Sequence, residues 1–130
     1  MRLNYYFKEN LGADATAQNI KAITDQVTAT WFYNFLKIDP NEYVKKVKIP
    51  VLALNGENDL QVIAKENLMG IKTTLTKSGN KNVTVKEFPK LNHLFQESKT
   101  GAVDEYGKIE QTISPLVLTE ILTWLKKQAD

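Results

Sequence analysis

Apolar side chains at Ile20, Ile23, Val27, Trp31 and Phe35 recur at spacings of three and four, which puts them on one face of an amphipathic helix. Asp14 is a suitable N-cap for that helix, and Lys37-Ile38-Asp39 ends it. Asp39-Pro40-Asn41-Glu42 then reads as a new start, with a cap, a proline at the first helical position and an acid at the third. It opens one short turn through Tyr43 to Lys46. The pattern changes at Ile49. Ile49-Pro50-Val51-Leu52-Ala53-Leu54 is a continuous apolar run closed by Asn55-Gly56, which predicts a strand covered on both faces, as in a parallel sheet. From Val62 to Lys77, Ala64, Leu68, Ile71 and Leu75 return to helical spacing, and Ser78-Gly79-Asn80 supplies a glycine C-cap. Val83-Thr84-Val85-Lys86-Glu87-Phe88 alternates, as a half-exposed strand near a sheet edge does, and Pro89 ends it. Residues 90–113 read mostly as loop. A last helix follows, with Ser114 as cap, Pro115 in its first turn, and Leu118, Ile121, Leu122 and Leu125 on one face.

Strand, helix and strand in this order predict an α/β fold, built on a right-handed parallel strand–helix–strand unit with flanking helices. A chain of 130 residues has the size of one folding unit. Its first strand is apolar on both faces and expects a neighbour on each side, yet the chain supplies only one. Open apolar edges recruit partners, so self-association through that edge, or its coverage by the N-terminal helix, is expected.

Composition removes several function classes. Lys and Arg outnumber Asp and Glu only enough for a net charge of +2, and the positive residues are scattered. Lys45-Lys46-Val47-Lys48 and Lys126-Lys127 read as a helix end and a solvated terminus, so no nucleic-acid partner is expected. The absence of cysteine excludes disulfides, thiolate zinc sites and cysteine nucleophiles, and a single histidine argues against any zinc centre. No metal or organic cofactor is expected. The first nine residues lack the apolar core of a signal peptide, and no stretch approaches the length that spans a bilayer, so no membrane partner is expected either.

Chemistry in an open parallel sheet sits beyond the carboxyl ends of the strands. Two loops leave those ends, Asn55-Gly56-Glu57-Asn58-Asp59-Leu60-Gln61-Val62 and Pro89-Lys90-Leu91-Asn92-His93-Leu94-Phe95-Gln96. Adjacent parallel strands set both on one rim, where Asp59 and His93 can meet. An aspartate that accepts a hydrogen bond from one imidazole nitrogen fixes the tautomer and leaves the other nitrogen to take a proton from a nucleophile. Each residue also has a plainer reading, Asp59 as a turn aspartate after Gly56 and His93 as an ordinary surface or core histidine. Glu57 is the first alternative acid. Glu97, Asp104 and Glu110 read as solvated loop charges. Trp31, Phe32, Tyr33 and Phe35 form an aromatic cluster that reads first as core packing and second as a pocket lining.

The stretch Pro50 to Val62 resembles the α/β-hydrolase signature at the end of the seventh strand, where a small-residue turn delivers the triad acid at the position of Asp59. Leu91-Asn92-His93-Leu94-Phe95 is similar to the loop after the eighth strand, which carries the triad histidine at the position of His93, and Ser114 to Lys127 matches the last helix. Within the superfamily the chain looks closest to the serine aminopeptidase-like and carboxylic-ester hydrolase branch. The resemblance implies a C-terminal part of an α/β-hydrolase, with residues 1–47 as the end of the lid region and 48–130 as the end of the core. It also implies a small-molecule ester, thioester or amide substrate in the full-length protein. One part of the pattern is absent. Serines stand only at 78, 98 and 114, none within Gly-x-Ser-x-Gly, so the nucleophile and the oxyanion segment are expected upstream of Met1 and the chain alone is expected to be inactive. The alternative is a non-catalytic α/β module for binding or assembly that keeps only the fold.

Overall fold

The computed structural model describes residues 16–129. By its contacts the chain divides into two compact units, Met1–Asp39 and Pro40–Asp130.

In the first unit, α1 (Ala17–Thr28) and α2 (Thr30–Leu36) stand where the apolar spacing predicts one helix. Ala29 breaks the run with φ −57° and ψ 137°. Threonines explain the break. The hydroxyls of Thr24 and Thr28 bond back to the carbonyls of Ile20 and Thr24, at 2.8 and 2.6 Å, and such bonds compete with the helical ladder. Thr16 caps α1, its hydroxyl accepting from the Asn19 N–H at 3.1 Å; Asp14 lies outside the described residues. Trp31 meets Phe32 edge-on, with ring centroids 5.3 Å apart. Neither helix buries a residue, so the expected packing of Trp31 and Phe35 into a core is not observed.

The second unit opens with the single turn α3 (Asn41–Val44), for which Pro40 is the cap, not the first helical residue. Strands β1 (Val51–Gly56) and β2 (Val83–Phe88) run parallel, in register from Val51 opposite Val83 to Gly56 opposite Phe88. Helix α4 (Ala64–Lys77) joins them. Because side chains alternate across a strand, Ala53 and Val85 face α4 and pack with Ala64, Leu68 and Ile71. Leu54 and Phe88 face the other way, onto Leu91, Val117 and Ile121. Those last two lie on the closing helix α5 (Pro115–Ala129). Ser114 is fully buried at its start, and its hydroxyl accepts from the Leu116 N–H at 3.4 Å. The long loop between β2 and α5 holds a 3-10 helix, Val103–Lys108, and an antiparallel bridge between Leu91 and Glu97.

Asn80 sets where the sheet begins. Asn80 and Gly79 close α4, their N–H groups donating to Leu75 and Thr76 carbonyls at 3.0 Å each, with Gly79 in the left-handed conformation (φ 88°) that this ending requires. The Asn80 side chain, almost fully buried, then donates to the carbonyls of Val47 and Ile49 at 3.1 and 2.9 Å and accepts from the Asn82 N–H at 2.9 Å. The Ile49 carbonyl is thereby engaged outside the ladder, which starts instead with the Val51 N–H on the Asn82 carbonyl at 2.9 Å. Among the described residues the sheet has two strands, so one edge of β1 has no strand beside it.

Candidate active site

Both strands end on the same rim, and the loops that leave it are tied together by main-chain bonds. The Glu57 N–H donates to the Phe88 carbonyl at 2.8 Å, and the Asn58 N–H to the Leu91 carbonyl at 2.9 Å. The Lys90 N–H donates to Glu57 Oε2 at 3.0 Å, and Asn58 Nδ2 to the Ser98 carbonyl at 3.0 Å. The approach is close enough to demand glycine at 56, since a Cβ there would stand 2.2 Å from the Leu91 oxygen.

Asp59 and His93 meet on this rim. His93 Nδ1 lies 3.0 Å from Asp59 Oδ2. The carboxylate is fixed on its other side as well. Its Oδ1 accepts from the N–H groups of Gln61 and Val62 at 2.9 and 2.8 Å, and its Oδ2 also accepts from Asn55 Nδ2 at 3.2 Å. Burial pushes the Asp59 carboxyl up, but the hydrogen bonds from Val62, His93 and Gln61 and the charge of the imidazole outweigh it and hold the group below its ordinary value. The ionised carboxylate can only accept, so the proton of neutral His93 sits on Nδ1. Its Nε2 then carries the lone pair and has no hydrogen-bond partner among the described residues. Exposure matches this division, with 5% for the Asp59 side chain and 38% for the His93 ring.

Among the described residues no other acid pairs with the ring. Glu57 spends its carboxylate on the Lys90 N–H, and Asp104 pairs with Lys108 at 3.3 Å. The three serines are engaged structurally. Ser78 is the C-cap of α4, Ser98 accepts from Asn58 Nδ2 at 3.4 Å, and Ser114 is buried at the start of α5. None of the three hydrogen-bonds His93. Among the described residues no group of three His, Cys, Asp or Glu side chains could hold a metal ion, and no helix is long and apolar enough to cross a membrane.

Two asparagines support the site without standing out in the residue pattern. Asn55 bridges the acid loop, donating to Asp59 and to the Val62 carbonyl at 2.9 Å. Asn92, fully buried, accepts from the N–H groups of Leu94 and Gln96 at 3.0 and 2.9 Å and donates to Gln96 Oε1 at 2.9 Å. A signal for both exists in the loops themselves, since asparagine bonds to main chain two residues on and so marks turns.

Comparison with known proteins adds to this geometry. The sequence profile of the Dienelactone hydrolase family matches residues 11–127. Esterase EstD of Thermotoga maritima is 35% identical over 101 residues, covering 76% of this chain and 23% of that relative. The chain thus spans under a quarter of the relative's length. No solved structure matches.

Proposed function

We propose that this chain, which belongs to the Dienelactone hydrolase family, supplies the acid and the histidine of a serine hydrolase that cleaves ester, thioester or amide bonds of a small molecule. The observation that carries the reading is the 3.0 Å contact between His93 Nδ1 and a buried Asp59 carboxylate already fixed by two main-chain N–H groups. In that arrangement His93 Nε2 takes the proton of an attacking serine hydroxyl and later returns it to the leaving group. Asp59 orients the ring and stabilises the imidazolium that forms in between. The three serines of the chain have structural duties, so the nucleophile belongs to the remainder of a longer hydrolase, together with the donors that stabilise the oxyanion. The similarity to an esterase over 76% of the chain supports the ester class first.

The coding sequence upstream of the Met1 codon tests this directly. An in-frame Gly-x-Ser-x-Gly turn is expected there, and in the protein that carries it His93→Ala should abolish ester turnover while leaving the fold intact. A stop codon in place of that turn would leave a non-catalytic α/β module as the better reading.

A further inference from the structure

We propose that Asn92 is the positioning residue that fixes the imidazole of His93 toward Asp59; the inference rests on reading those two as the acid–histidine pair.

The loop from Leu91 to Glu97 reverses direction between the two ends of an antiparallel bridge, with His93 at its turn. His93 itself makes no main-chain bond in this reversal; its neighbours make them all. The Asn92 N–H donates to the Gln96 carbonyl at 3.0 Å, and the Phe95 N–H donates to the Asn92 carbonyl at 3.0 Å. The Asn92 side-chain oxygen takes both remaining inward N–H groups, those of Leu94 and Gln96. Its amide nitrogen donates to Gln96 Oε1, and Gln96 Nε2 continues the chain of bonds to the Gln111 carbonyl at 2.9 Å. At this position the side-chain oxygen accepts twice while the nitrogen, on the other arm of the same planar group, donates, which uses both ends of an amide. The turn also forces Phe95 to φ 57°, a left-handed conformation that non-glycine residues rarely adopt. A turn so closely determined fixes the direction in which the His93 side chain leaves it, outward to Asp59.

Because His93 is the sole histidine, its ring nitrogens give a single set of signals in the 15N-labelled chain. The experiment compares wild type, Asn92→Ala and Asp59→Asn at about pH 9, well above the ordinary imidazole value. Wild type is expected to show mainly the Nδ1–H tautomer. In folded Asn92→Ala the ratio of Nδ1–H to Nε2–H forms should fall on the order of tenfold, the scale of one hydrogen bond to a charged group. A folded Asn92→Ala protein with wild-type ring signals overturns the inference and makes Asn92 a packing residue. If Asn92→Ala does not fold, Gln96→Met decides, since it leaves Asn92 in place and removes the partner of its amide together with the onward bond to the Gln111 carbonyl; unchanged ring signals there overturn the inference equally. Ring signals of wild type that do not respond to Asp59→Asn would instead remove the pairing itself, whatever Asn92 does.

Discussion

The α-carbon of Gly56 lies so close to the main chain of Leu91 that a methyl group added to it would stand 2.2 Å from the Leu91 oxygen and 2.8 Å from that of Asn92. Both obstacles are backbone, and the Leu91 oxygen also accepts the Asn58 N–H, so neither can yield without opening the rim. Gly56→Ala should therefore cost about 1–3 kcal/mol or more as an overpacking substitution. A thermal melt followed by circular dichroism checks it. The midpoint should fall by roughly 4–8 °C for each kcal/mol in a unit of this size, and a wild-type midpoint would show that the loops are not in contact.

Asp59 gives the protein an acid-sensitive limb. Its burial, which raises the carboxyl, is outweighed by the hydrogen bonds from Val62, His93 and Gln61, so the folded group titrates below the ordinary value of 3.8. A depressed carboxyl stabilises the fold fully above the ordinary value, and that contribution is lost as pH falls through the folded value. Urea midpoints measured downward from pH 6 should drop through this window in wild type and drop less in Asp59→Asn. Parallel curves for the two proteins would contradict the assignment.

The isolated chain should not hydrolyse an activated ester faster than its His93→Ala variant. An acid and a histidine assist a nucleophile, but the covalent step needs the serine and its oxyanion donors. In a longer protein that carries the proposed serine, Asp59→Asn should lower kcat by a factor on the order of 10⁴, since the neutral amide favours the wrong tautomer of the ring. Near-normal turnover of that variant would reassign the acid, with Glu57 the first residue to try.

Among the described residues one edge of β1 has no strand beside it, and in the isolated chain that edge should pair with a second copy. The N–H groups of Val51 and Glu57 bond toward β2, so by alternation those of Leu52 and Leu54 face the free edge. Alongside it runs an apolar groove lined by Val51, Leu52, Leu54, Phe95, Ile121 and Trp124. Sedimentation velocity over rising concentration should show association. Leu52→Pro removes an outward donor without touching the ladder to β2, and should shift the protein to monomer with its circular dichroism unchanged. A monomer at every concentration would refute the pairing.

Much of this protein is legible in its residue order. The apolar run before Asn55-Gly56, the alternation from Val83 to Phe88, and the helical spacing of Leu68, Ile71 and Leu75 each follow from a local period, and each element formed with shifts of about two residues at most. Periodicity could not register the break at Ala29, which depends on the threonine hydroxyls nearby and not on the apolar stripe. It could not give the start of β1 either, because that is set by the Asn80 side chain from the far end of α4.

Residue order alone specifies two rim loops, one with Asp59 and one with His93, because parallel strands must release their ends on one side. Whether those side chains touch is a matter of a few ångströms, and that is settled in three dimensions. Residue spacing does not encode the cross-loop bonds from Glu57 to Phe88 and from Asn58 to Leu91, which draw the loops together. Nor does it encode the burial that turns Asn55 and Asn92 from ordinary loop residues into fixed supports for the pair. Local propensity acts within one turn of chain, whereas a hydrogen bond between residues 34 positions apart exists only once the sheet has brought them together.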